Sequence, residues 1–159
     1  MSQPAHDAGH AADRKLSIHT PGHGSYLTYI RNFVGDLARQ VGFPEEDIAK
    51  IEMSVDEACS NVVKHAYAPK KKWLWQHRHP EIRLDLQVQA NQIIIEIHDH
   101  GQQFDFAAYR PDAIPERLKD MKTNGYGISI MREFMDEVTY SSSDATGNTL
   151  RLVKYLKKT

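Results

Sequence analysis

Cysteine is nearly absent: Cys59 is the only one in 159 residues. No internal disulfide can form, which excludes a disulfide-stapled scaffold and fits a reducing compartment. No apolar run approaches the ~20 residues that a bilayer-spanning helix needs. The N-terminal Met1-Ser-Gln-Pro-Ala-His-Asp7 has no apolar signal core, and Ser2 stands where myristoylation requires glycine. Excess charge of either sign is missing too: 20 Lys and Arg against 21 Asp and Glu leave a net charge of -1. Such a chain has no global field to draw nucleic acid or an anionic membrane. The expectation is a soluble cytoplasmic protein, with no direct nucleic-acid binding and no membrane attachment. Its length predicts one domain with a substantial core.

The most informative stretch is Ile51 to Tyr67. Ile51, Val55, Ala58, Val62 and Ala66 recur at spacings of three and four, the stripe of a helix that buries one side. Glu57, Asn61, Lys64 and His65 fall on the adjoining side, with Glu57 and Asn61 one turn apart. An Asn amide oxygen suits Mg²⁺, a hard cation that shares its shell with water and substrate phosphates. A Glu one turn away can take a proton from an attacking hydroxyl or orient a water. The alternative is an ordinary solvated polar face.

Taken in order, residues 1–14 lack periodicity and read as a flexible tail. Lys15 to Thr20 alternates as a short strand. A helix follows on Leu27, Ile30, Val34, Leu37 and Val41, with Ser25 as its N-cap and Gly42 as its stop. Pro44-Glu-Glu-Asp47 starts the central helix. Residues 68–80, with Lys70-Lys-Lys-Trp-Leu-Trp75, break the pattern as an insertion, either an exposed loop or a protein contact through Trp73 and Trp75. Ile82 to Val88 and Ile93 to Ile97 alternate cleanly and predict a hairpin turning at Ala90-Asn91. Residues 102–124 form a long connection broken by Pro111 and Pro115, the length of a lid. Gly125-Tyr-Gly127 opens a helix carrying Ile128, Met131, Phe134 and Met135. Val138 to Ser142 and Leu150 to Leu156 are two further strands. Strands and helices do not alternate strictly. The predicted fold is therefore an α/β chain of the α+β sandwich type: a mixed, mostly antiparallel sheet with helices on one face, in one domain over residues 15–159.

Three constellations carry possible chemistry. Asp99-His-Gly101 lies where a strand runs out. Its carboxylate could accept a hydrogen bond from an exocyclic amine such as that of adenine, with Gly101 admitting a flat base. Gly125-Tyr-Gly127 before a helix could present N–H groups and a positive dipole end to phosphates. His77, His79, His98 and His100 form two His-x-His pairs that could share a strand face and a metal, but no Cys or acidic cluster completes a site.

The order of these motifs resembles that of a known family, the anti-sigma-factor serine kinases of bacterial partner switching. That family belongs to the ATPase superfamily of histidine kinases, gyrase B, a heat-shock chaperone and the MutL repair protein. Asp56-Glu-Ala-Cys-Ser-Asn-Val-Val-Lys-His-Ala-Tyr67 is similar to its N box, and Asp99-His-Gly-Gln-Gln-Phe-Asp105 to its first glycine box. Asn124-Gly-Tyr-Gly-Ile-Ser-Ile-Met131 resembles its second glycine box. The resemblance implies ATP and Mg²⁺ bound under a lid between the sheet and the last helix. By position, Glu57 would be the catalytic base and Asn61 the Mg²⁺ ligand. Lys64 and His65 would lie near the phosphates, and Asp99 would hold the adenine amino group. Gly101, Gly125 and Gly127 would shape the pocket, and Thr149 matches a threonine near the adenine. The implied partners are an anti-anti-sigma protein as phosphoryl acceptor, a sigma factor, and a second copy in a homodimer. The sequence departs from the pattern at Gln103 and Asn124, both glycine in the family. A non-catalytic nucleotide-binding antagonist of the same fold is the second reading. A histidine kinase would need a phosphoacceptor hairpin, which this length is not expected to accommodate.

Overall fold

The computed structural model describes residues 14–66 (65 and 66 by backbone alone), 81–103, 106 and 127–157. Strict alternation builds the sheet. β1 (Arg14–Pro21), β2 (Glu81–Gln89), β3 (Gln92–Asp99), β4 (Glu137–Ser143) and β5 (Gly147–Tyr155) form one five-stranded sheet in the order β1-β2-β3-β5-β4. The β2–β3 hairpin turns at Ala90 and Asn91, with Leu84 opposite Ile97 and Leu86 opposite Ile95. A mixed sheet was expected, yet every pairing among the described strands is antiparallel. β4 does run parallel to β3, but β5 lies between them, so no parallel ladder forms. β1 is one edge of the sheet.

The helices lie on one face, as predicted. α1 (Leu27–Val41) buries Ile30, Val34, Leu37 and Ala38, and α2 (Glu45–Asn61) buries Ile48, Ile51, Val55 and Ala58. α3 (Gly127–Phe134) adds Ile128 and Met131, and α2 packs between the other two helices. These side chains form one core with Ile82, Leu84, Leu86, Ile93, Ile95, Ile97 and Leu152 of the sheet. Exclusion of this aliphatic surface from water holds the two layers together.

Local signals account for most helix ends. Gly42, at a φ of 99°, closes α1 in the left-handed conformation, its N–H meeting the carbonyls of Ala38 and Arg39. The carbonyl of Pro44 accepts from the N–H groups of Asp47 and Ile48, and three acids occupy the first turn of α2. The expected Ser25 cap is a correction. His23 Nδ1 accepts from the Ser25 N–H at 3.2 Å and caps a short 3₁₀ turn, Gly24–Tyr26; α1 begins only after it, with Tyr26 at the N-cap making no side-chain bond. The central helix also differs from one regular helix over 51–67: it is α-helical to Asn61 and then widens into a π turn, Val62–Ala66. Single π turns in helices are frequent at functional sites.

Candidate functional site

The inner face of the sheet ends in an acid. Asp99 follows Ile93, Ile95 and Ile97 in phase, so its side chain falls on the helix side, where it is only 7% exposed. A carboxylate so buried requires donors. Its Oδ1 accepts from the Gly101 N–H at 2.7 Å and from Asn148 Nδ2 at 2.9 Å. Both bonds fall on one oxygen; Oδ2 accepts none among the described residues. Asn148 is itself fixed, its Nδ2 reaching the Gly101 carbonyl at 3.2 Å and its Oδ1 accepting from Ser142 Oγ at 2.8 Å. Gly147 permits this closeness. Its φ is 78°, and a Cβ there would lie 2.4 Å from the Asp99 carbonyl oxygen.

The second part of the site is where α2 meets α3. Gly127, the first residue of α3, is buried against α2: a Cβ on it would sit 2.8 Å from Glu57 Oε2 and 3.0 Å from Asn61 Nδ2. Glu57, Asn61 and the start of α3 are thus brought together, and only glycine leaves both side chains undisturbed. The direction of α2 relates this part to the first. The buried Lys154 ammonium lies 3.8 Å from Asp47 in the first turn of α2, 3.6 Å from Asp136, and donates to the Phe134 carbonyl at the end of α3. Lys154 pairs with Ile93, at the opposite end of β3 from Asp99. Glu57 and Asn61 lie about 15 and 21 Å further along α2 than Asp47, at 1.5 Å per residue, and so away from the Lys154 end of the sheet.

These elements match a known sequence profile. The histidine kinase-like ATPase domain profile covers residues 21–154, most of the chain. The chain belongs to the histidine kinase-like ATPase domain family. Relatives of the chain include serine-protein kinases named RsbW. Those from Bacillus cereus and Bacillus anthracis are each 26% identical over 148 residues, covering 91% of this chain and 86% of theirs. Among solved structures, the RsbU and RsbW domains of a Mycobacterium tuberculosis protein superpose with a TM-score of 0.63 at 16% identity, over 92% of this chain and 33% of that one. This chain therefore spans about a third of that relative. The SiaB–SiaC complex of Pseudomonas aeruginosa gives a TM-score of 0.61 at 11% identity, with 88% of each chain covered. The resemblance carried by the N box and the two glycine boxes is thus borne out at the level of the family.

As an ATPase-like domain, the chain can be tested for fit to a nucleotide. An acid with one oxygen engaged and the other without a donor among the described residues suits an exocyclic amine, and the amide oxygen of Asn61 suits a hard cation. Lys64 is exposed on the π turn. The side chain of His65, and all of Gly125, lie outside the described residues, as do the insertion at 68–80 and nearly all of the expected lid.

Thr149 does not join the site. It pairs with His98, one residue out of phase with Asp99, so it falls on the outer face of the sheet, and its Oγ1 lies 3.0 Å from His98 Nδ1. The residue at the acid is Asn148. Strand parity could have found it, since Asn148 is in phase with the inward Leu150 and Leu152; a motif match shifted by one residue cannot. Cys59 is fully buried behind this face, and burial pushes its thiol up to about 12, leaving it inert as a nucleophile.

Proposed function

We propose that this protein is an ATP-dependent serine/threonine protein kinase acting as an anti-sigma factor, which phosphorylates an anti-anti-sigma protein and sequesters a sigma factor. The observation that carries the reading is the packing of Gly127 against Glu57 and Asn61, which brings the second glycine box onto the N box. ATP, bound with Mg²⁺, would supply the phosphoryl group, its bond from the γ-phosphorus to the bridging oxygen breaking as ADP leaves. Glu57 accepts the proton of the acceptor hydroxyl as the new bond to phosphorus forms. Asn61 would hold Mg²⁺ through its amide oxygen. Asp99, held by Gly101 and Asn148, takes a hydrogen bond from the adenine amino group, while Gly101, Gly125 and Gly127 leave room for base and phosphates. Lys64 and His65 supply charge beside the phosphates. The serine-protein kinases among the relatives support the reaction class. The SiaB–SiaC fold neighbour, a two-protein complex, is compatible with a protein partner. β1, an edge strand among the described residues, suits pairing with a second copy in a homodimer.

The test is phosphate transfer from labelled ATP to anti-anti-sigma-like proteins of the source organism. Glu57→Gln keeps shape but removes the base. Transfer should fall by about 10²–10⁴-fold, while nucleotide affinity by calorimetry and partner binding hold. Transfer at the wild-type rate by this variant would end the assignment of Glu57.

One observation favours the non-catalytic antagonist as a second reading. Gln103 stands where the family has glycine at the lid root, and its Nε2 donates to Asp144 Oδ1 at 3.1 Å, tying that root to the β4–β5 turn. Freezing a hinge would slow closure. Sigma-factor binding by a wild type that transfers no phosphate to any acceptor would select this reading.

A further inference from the structure

The outer face of the sheet gathers three metal-ligating side chains that no motif of the nucleotide site uses. Glu96 and His98 are two apart on β3 and share that face; Asp85 of β2 pairs directly with Glu96. His98 Nε2 lies 3.1 Å from Asp85 Oδ2 and 3.9 Å from Glu96 Oε2, and one ligand atom from each of the three residues lies within 4.8 Å of the others. Ligand atoms bound at ~2.0–2.2 Å to one small ion are separated by distances of this order, so closing the shell takes only side-chain rotation.

The decisive feature is the His98 ring. Its Nδ1 is engaged with Thr149 Oγ1 at 3.0 Å, yet Nε2, which is sealed from water, makes no aligned hydrogen bond. With the proton on Nδ1, donated to Thr149, the Nε2 lone pair points at two carboxylates, which is repulsive. With the proton on Nε2, the N–H has only the off-line Asp85 Oδ2 at 3.1 Å, a bond weakened by poor alignment. A cation between Nε2 and the carboxylates removes both difficulties. The surroundings are those of an outer coordination shell: Ser17 Oγ donates to Asp85 Oδ1 at 2.6 Å, and Thr149 orients the imidazole. A cavity of about 340 Å³ lies beside Asp85 and Glu96, with Lys15 and Ser17 also in its lining. Arg83 competes for Asp85 Oδ2 at 3.2 Å, but its side chain is 45% exposed and its pairing is of the kind that water screens.

We propose that Asp85, Glu96 and His98 form a binding site for a divalent first-row transition-metal ion of the zinc class. Imidazole nitrogen with carboxylate oxygens favours such an ion over Mg²⁺, which takes oxygen ligands alone. Three protein ligands leave a fourth position for water. The site lies on the opposite face from Asp99 and stands whether or not the kinase reading holds.

Calorimetric titration of the full chain with Zn²⁺, in excess Mg²⁺, tests this. The wild type should show one site that weakens about a hundredfold or more in His98→Gln and in Asp85→Asn. Thr149→Val, which removes the ring's outer partner, should weaken it about tenfold. Glu96→Gln, the change at the most exposed ligand, serves should either of the others misfold. Co²⁺ should give visible absorption in the wild type that His98→Gln loses. The chain has nine histidines, so Zn²⁺ binding with unchanged affinity in His98→Gln and Asp85→Asn means other histidines hold the ion and overturns the proposal, as does the absence of binding by the wild type.

Discussion

The two faces of the sheet use the same strands for opposite purposes. On the inner face, Ile93, Ile95 and Ile97 are sealed under the helices and lead to Asp99, whose charge is met by directional bonds from Gly101 and Asn148. On the outer face, Ile94, Glu96 and His98 of the same strand run into charged neighbours, with Arg151 3.8 Å from Glu96 and Arg83 3.2 Å from Asp85. A buried acid held by directional donors is fixed to one geometry, because every alternative strands a buried charge. Acids half in water keep several partners at little cost. The inner acid is therefore fixed in place, whereas the outer acids can exchange one partner for another.

The sharpest way to break this comparison is through stability. Ile95→Ala removes a side chain with no exposure and should cost about 2–5 kcal/mol in denaturant unfolding. The adjacent Glu96→Gln should change stability by no more than about 1 kcal/mol, since its ion pairs are long and partly exposed. Equal losses at the two positions would erase the distinction between the faces.

Gly127→Ala separates stability from function at the α2–α3 contact. Its φ is not positive, and alanine suits a helix better than glycine, so the thermal midpoint should hold or rise slightly. The added Cβ must displace Glu57 Oε2 or Asn61 Nδ2, and phosphate transfer should fall by up to about 10²-fold, the scale of a 1 Å misplacement. A fall in the midpoint with transfer intact would mean that the contact serves packing only.

Nucleotide affinity sharpens the assignment of faces. Asp99→Asn should lose about 1.5–3 kcal/mol, tenfold to a hundredfold in affinity for Mg-ATP. Asn148→Ala should weaken binding in the same direction, and Thr149→Ala should leave it unchanged. Calorimetry on the three variants checks this, and a loss in Thr149→Ala matching that of Asn148→Ala would contradict the strand parity. The smallest effect is expected at Cys59: with its thiol pushed up to about 12 by burial, the folded protein should not react with a thiol reagent at pH 8, whereas the unfolded chain should.

Much of this was legible before the fold. Alternation in 82–97 marked the hairpin and its buried face, because a period of two has one structural meaning. The 3.6-residue stripe from Ile51 marked the central helix, and Gly42 and Pro44 marked its approach. The π turn after Asn61 was not legible, since a stripe counted in residues does not register a local change of winding. Nor was the His23 cap, which depends on where a ring nitrogen falls relative to the next turn.

Asn148 and the outer-face cluster mark the boundary between the two kinds of information. The sequence by itself determined the strands, the helices, the order of the boxes and the family, all of which depend on residue type and local spacing. Only the tertiary structure decided that Asn148, not Thr149, meets Asp99, because that follows from the register between β3 and β5. Only it placed Asp85 beside Glu96 and His98, whereas along the chain the histidine pair had no acidic cluster to complete it. Register is set by how whole strands bury their apolar faces together, and no segment carries that information alone.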